Sequence, residues 1–202
     1  ADSHTCSYGA LGAFGTGVGC TDLLYGMVTG KSWVLVPETV KFNLVGKLPE
    51  GVYARDLILT IIGTIGANGC NYQVMEFTGE GAKTLSISER MVLCNMAVEA
   101  GAKTGIFEPD EKAIEYLEAH GRKPKALFTS DPDAVYAREY TFDLSKIRPV
   151  VAKPDFVDNL VPAEEVRGVK IDEAFLGSCN NGRIEDLRVG ASIIKGKKVA
   201  EK

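Results

Sequence analysis

Glu38-Thr39-Val40-Lys41-Phe42-Asn43-Leu44-Val45-Gly46-Lys47-Leu48, then Pro49-Glu50-Gly51, then the apolar-rich run Ala54 to Ile65, is the stretch that decides the fold class. Val40, Phe42 and Leu44 alternate with Lys41 and Asn43, the period of a strand with one face buried. Pro-Glu-Gly is a turn. Leu57, Ile58, Ile61, Ile62 and Ile65 then recur at three- and four-residue spacing, which predicts a helix over 54–65 with one apolar face. A strand, a tight turn and an amphipathic helix in immediate succession point to an α/β fold.

The pattern continues outward. Gln73–Thr78 reads as a short strand. Ser86 with Glu89 three residues on is a capping box, opening a helix over 87–100 that Gly101 closes. A helix follows over Glu111–His120, ended by Gly121, and Tyr140–Leu144 is strand-like. Residues 36–150 therefore read as one central α/β domain with helices packed on a sheet. Three prolines between Pro149 and Pro162 mark a connector, bounded as 151–164. Beyond it, Val169–Leu176 reads as a strand, 184–194 as a helix, and Ile194 to Val199 as a helix end leading into another strand, so 165–202 is the start of a further α/β domain. Residues 1–35 hold a glycine-rich run and the start of the apolar stretch Trp33–Val36, and read as the end of a preceding domain. Position 1 is Ala and the polar motif starts at position 2, from which we expect a piece of a longer protein.

Of the 202 residues, 45% are hydrophobic and 25% charged, with a net charge of -4. With no long basic block, nucleic acid is a poor partner. No apolar run approaches the roughly 20 residues that span a bilayer, so no membrane partner is expected. Five widely spaced cysteines without a Cys-x-x-Cys pair point to a reducing, cytoplasmic setting rather than a disulfide framework.

Four groups of residues hold the types that chemistry needs. Asp2, Ser3 and His4 put a carboxylate, a hydroxyl and an imidazole side by side, ahead of glycines that let a backbone approach a ligand closely; the bland alternative is a polar surface loop. Cys179 lies in Gly177-Ser178-Cys179-Asn180-Asn181-Gly182-Arg183, before a predicted helix whose positive end, with Arg183, favours a thiolate that can act as nucleophile or metal ligand; the alternative is a small buried apolar residue. Asn95 and Glu99 are four apart and share a face of the predicted 87–100 helix; the alternative is an exposed polar stripe. Cys6, Cys20, Cys70 and Cys94 read as structural, and His120 as a helix cap.

The opening Ala-Asp-Ser-His-Thr-Cys-Ser-Tyr-Gly-Ala-Leu-Gly-Ala-Phe resembles the Asp-Ser-His-Thr segment of the aconitase superfamily. Val36-Pro37-Glu38-Thr39, Met75 to Gly81, Arg90-Met91, Cys94-Asn95-Met96, Glu99 to Ala102 and Phe175 to Leu187 are similar to the large subunits of 3-isopropylmalate dehydratase and homoaconitase, in family order over nearly the whole chain. The resemblance implies an aconitase-like three-layer α/β domain with partial flanking segments, and a [4Fe–4S] hydro-lyase that isomerises a hydroxy-dicarboxylate such as 2-isopropylmalate, in leucine biosynthesis, by dehydration and rehydration. It implies Asp2, Ser3, His4 and Glu99 as catalytic residues, Cys179 as one cluster ligand, Asn95, Asn181 and Arg183 around substrate and cluster, and a small subunit as partner. It further implies that the other two cluster cysteines lie in a Cys-x-x-Cys pair this chain lacks, so that the chain alone is expected to hold no cluster and to be inactive. Homoaconitase or a methylmalate-type dehydratase is the alternative within the class. A cluster-free α/β module binding an anion at its glycine-rich loop is the alternative outside it.

Overall fold

A computed structural model describes residues 2–198, so the expected strand reaching Val199 lies outside the described residues. Strand β1 (Thr39–Val45) is followed by helix α2 (Ala54–Ile65), which comes after α1 (Cys20–Thr29) in chain order, then by β2 (Val74–Thr78), the short α3 (Glu80–Thr84) and α4 (Ile87–Asn95). Strand β3 (Thr104–Phe107), α5 (Glu111–Ala119) and β4 (Arg138–Asp143) complete a four-stranded parallel sheet of order β3-β2-β1-β4. The α/β class expected from Glu38–Ile65 is the one observed.

The register explains the core. Val40 pairs with Met75 and Phe42 with Phe77, while Phe42 pairs with Tyr140 on the other side. Side chains alternate across a strand, so these positions share one face. Phe107, Phe77, Phe42 and Tyr140 form a row across it, with ring centroids 5.1, 5.6 and 5.5 Å apart. Leu57, Ile58, Ile61 and Ile62 of α2 and Leu93, Cys94 and Ala97 from α4 onward bury in the same core. On the opposite face, Lys41 pairs with Glu76. Glu76 is buried there and accepts hydrogen bonds from Ser130 Oγ (2.9 Å) and Tyr136 Oη (3.0 Å), which fastens the segment before β4 onto the sheet.

Three expectations need correction. The predicted 87–100 helix is α-helical only to Asn95; Met96–Ala100 tightens into a 3-10 helix that ends at Gly101 with φ +78°. The expected connector contains an antiparallel ribbon, β5 (Val150–Ala152) with β6 (Leu160–Pro162). Asp56 of α2 accepts a hydrogen bond from the Val150 N–H (3.0 Å), and Leu160 packs on the core, so the prolines terminate short strands rather than loosen the chain. The predicted strand over 169–176 is not formed: Val169, Ile171 and Phe175 are exposed in irregular backbone. A strand needs a neighbour to share its ladder, and among the described residues none lies alongside. Helices α6 (Ser178–Asn181) and α7 (Ile184–Ile194) follow.

Candidate active site

Ser3–Leu11 is a 3-10 helix packed on α4 and on the edge strand β3. Asp2 caps it: its Oδ1 accepts the His4 N–H at 2.9 Å. The capping carboxylate lies 3.9 Å from His4 Nδ1, and Ser3 Oγ lies 3.5 Å from the same nitrogen. On the other side of the ring, His4 Nε2 is 3.3 Å from Glu99 Oε1. With the proton on Nε2 the imidazole donates to Glu99, and Nδ1 is left to accept from Ser3. Asp2 and Ser3 are exposed and His4 is half-buried. Glu99 Oε2 is buried and has no hydrogen-bond partner among the described residues. An unpaired buried acceptor is costly, which makes this oxygen a place for a donor from a ligand.

The glycine-rich run packs closely on the polar motif: a Cβ on Gly17 would stand 2.8 Å from Ser3 Cα, and Thr16, Gly17 and Gly19 line one cavity with Ser3.

Asn95 is fully buried at the end of α4. Four residues of α-helix would put Glu99 about 40° from it around the axis. The tightened winding widens that angle, and the two side chains take different partners on the Ser3–Leu11 helix. Asn95 Nδ2 donates to Ser7 Oγ at 3.0 Å, while Glu99 meets His4. Beside them the Cys6 thiol donates to the Asn95 carbonyl (3.3 Å). Burial, and after it the charge of Glu99, pushes this thiol up to about 11, so it stays protonated and structural. Cys70 and Cys94 are also buried, whereas Cys20 is exposed at the start of α1.

Cys179 is exposed, in the single turn of α6. The full helix α7 starts only at Ile184, so the helix-dipole support expected at Cys179 is that of one turn. Ser178 sits in the left-handed region at φ +67°, which a β-carbon disfavours. Arg183 spans its own loop, donating to the carbonyls of Cys179 (3.3 Å) and Asn180. Asn181 Nδ2 donates to Asp186 at 3.2 Å. Asn180 is buried, and its Nδ2 donates to Asn95 Oδ1 (3.1 Å) and to the Val92 carbonyl (3.3 Å). The loop thus meets α4 beside Asn95. His4, Glu99, Asn95 and the loop carrying Cys179 converge on one region, with Asp2 and Ser3 at its exposed rim.

Arg55 is the residue that sequence reading missed. Its Nη1 donates to Asn180 Oδ1 and to Asn181 Oδ1 (3.3 Å). Desolvation of its guanidinium lowers its pKa, while the nearby charges of Glu99 and Asp56 oppose that. The signal was available: Arg55 is the second residue of α2, where a cation faces the positive end of the helix dipole and needs an acceptor from elsewhere.

The donor set can be tested against an iron–sulfur cluster. Cys179 is an exposed thiol, and Glu99 Oε2 is a buried oxygen without a partner. The thiol suits a cluster ligand, and the oxygen suits a hydrogen-bond donor on a molecule bound beside it. Among the described residues no group of three or more His, Cys, Asp or Glu could hold a metal ion, so the fit is to one thiolate ligand.

Comparison with known proteins adds the family. The model of the aconitase family (aconitate hydratase) matches residues 1–168. The chain is 55% identical to a 3-isopropylmalate dehydratase large subunit of Heliobacterium modesticaldum, over 98% of this chain and 47% of the relative. It is 54% identical to that of Hydrogenobaculum sp., with the same two shares, and 51% identical to large subunit 1 of Methanopyrus kandleri, over 98% and 48%. The chain spans about half the length of the curated relatives it matches.

Proposed function

The chain belongs to the aconitase family, and we propose that it is the part of a 3-isopropylmalate dehydratase large subunit that carries the acid–base residues and one cluster ligand. The observation that carries this reading is the His4–Glu99 contact, 3.3 Å across 95 residues of chain, with the second oxygen of Glu99 buried and unpartnered. An imidazole and a carboxylate in contact can hold and pass the proton that a departing hydroxyl needs and an entering water gives up. Asp2 fixes the turn on which His4 stands, and Ser3 Oγ is exposed beside the ring to contact substrate. Asn95, buried between Ser7 and Asn180, sets the distance between the histidine helix and the cysteine loop.

Cys179 would be one ligand of a [4Fe–4S] cluster, which when bound supplies a Lewis-acid iron for the substrate's hydroxyl and carboxylate. The names of the relatives favour isopropylmalate over homoaconitate as substrate and a small subunit as partner. Exposed apolar residues on α1 (Leu24, Met27, Val28) and at Trp33–Val36 support a reading in which other parts of the complete enzyme cover these faces. We keep the division into 1–35, 36–150 and 165–202 as a proposal, with the ribbon of 151–164 and the Ser3–Leu11 helix packed on the central unit. No helix among the described residues is long and apolar enough to cross a membrane. The five free cysteines fit a reducing setting, and we place the enzyme in the cytoplasm. The test is the complete enzyme with Cys179→Ser, purified anaerobically. It should fold, lose its cluster absorbance and fail to convert 2-isopropylmalate; a stable cluster with normal conversion would contradict the reading.

A further inference from the structure

We propose that Arg55 and Asn180 form a clamp that positions the Cys179 loop against the C-terminal end of α4, making both positioning residues of the site. The inference rests on the proposed function only in treating that loop as the cluster loop. The carboxamide of Asn180 is used on both sides. Its oxygen accepts from Arg55 Nη1, and its nitrogen donates to Asn95 Oδ1 at 3.1 Å and to the Val92 carbonyl at 3.3 Å. Arg55 also takes Asn181 Oδ1 at 3.3 Å, so one guanidinium fastens two consecutive loop residues to the first turn of α2. Three separate segments are joined: the start of α2, the end of α4 and the loop 177–183.

The loop needs such a fastening. Ser178, immediately before Cys179, is held in the left-handed region, a conformation that persists only where the surroundings over-determine it. Its neighbours give little apolar support, since Phe175 is exposed and Cys179 itself is exposed. The burial of Asn180 and its hydrogen bonds are what anchor the turn. Arg183 stiffens the loop from within, through the carbonyls of Cys179 and Asn180, but does not tie it to the sheet domain. Charge-assisted hydrogen bonds such as those of Arg55 are about twice as strong as neutral ones, so the clamp is the strongest polar tie between the loop and α2.

The test uses this chain with Cys20→Ser, which leaves Cys179 as the exposed thiol. Arg55→Gln, Arg55→Lys and Asn180→Leu are compared by the rate of iodoacetamide labelling at Cys179 and by hydrogen exchange of residues 177–183. Arg55→Gln and Asn180→Leu should speed loop exchange and change the labelling rate about tenfold, the factor expected from losing one hydrogen bond to a charged group. Arg55→Lys should fall between them and the parent, and exchange in β1, β2 and α2 should be unchanged. Parent-like labelling and exchange in Arg55→Gln overturns the clamp, and that exposed position can be changed even if Asn180→Leu does not fold. In the complete enzyme, Arg55→Gln should lose its cluster to a chelator about tenfold faster by the same reasoning. A loosened loop with unchanged cluster loss overturns the positioning role. A parent enzyme that takes up no cluster refutes the proposed function, while the labelling of this chain still decides the clamp.

Discussion

Gly9 shows how closely the histidine segment is fitted to the sheet. A Cβ there would stand 1.7 Å from the Gly105 carbonyl oxygen, a backbone atom that cannot swing aside. Gly9→Ala should therefore lift the Ser3–Leu11 helix off β3 and cost about 3 kcal/mol, the upper end of overpacking penalties, measured by denaturant unfolding. The thiols divide as sharply. Cys20 and Cys179 should alkylate within minutes in the folded chain, while Cys6, Cys70 and Cys94 should wait for unfolding, as intact mass against time would record. Burial holds Cys6 and Cys70 up at about 11, so neither becomes a thiolate near neutral pH. At this scale His4, Glu99, Asn95 and Cys179 could be singled out from the sequence because each is a reactive or polar type on an otherwise apolar or glycine-rich background. The bonds between them could not, because a contact 95 residues apart depends on how two helices pack. Arg55 carried only the weaker signal of a cation at the wrong end of a helix.

Between elements, the Arg90–Asp110 pair joins α4 to α5. Arg90 is 1% exposed, donates to both Asp110 oxygens (2.8 Å at Oδ1) and lies over the Phe107 ring. Asp110 in turn caps α5 by accepting the Ala113 N–H. Burial alone would raise the Asp110 carboxyl, but hydrogen bonds and charge from Arg90 outweigh it and hold the group below the usual carboxylate range. A depressed carboxylate stabilises the fold above its unfolded pKa of about 3.9, and that contribution is lost as pH falls through the lower folded value. Acid unfolding should therefore show a component below about pH 4 that Asp110→Asn removes. Asp110→Ala should cost about 3–5 kcal/mol at neutral pH, because it leaves a buried guanidinium unpaired. The elements themselves were legible where period and caps agreed, as in β1, α2 and the Ser86–Glu89 start of α4. They were not legible where tertiary contacts decide. The β5–β6 ribbon forms because Asp56 and the core receive it, and 169–176 stays irregular because among the described residues no strand is there to pair with it.

Across the whole molecule, the parallel sheet and its aromatic row make a rigid base, and the candidate site lies off the amino end of its edge strand β3. Ligands of open α/β sheets commonly sit beyond the carboxyl ends of the strands. Here Glu99 precedes β3, whose edge is covered by the Ser3–Leu11 helix, so the site gathers near the amino end of that strand. The fold class was readable from one strand–turn–helix stretch, whereas this placement was not, because it depends on where a helix from the first eleven residues docks. The proposed role of His4 and Glu99 is that of one proton-handling pair. Its most direct test is the turnover of 2-isopropylmalate by the complete, cluster-loaded enzyme carrying His4→Gln, Glu99→Gln or both. Each single variant should stay folded, keep its cluster and lose turnover by roughly 10²–10⁴-fold, and the double variant should lose little more than either. Near parental turnover in Glu99→Gln, or losses that multiply in the double variant, would contradict it.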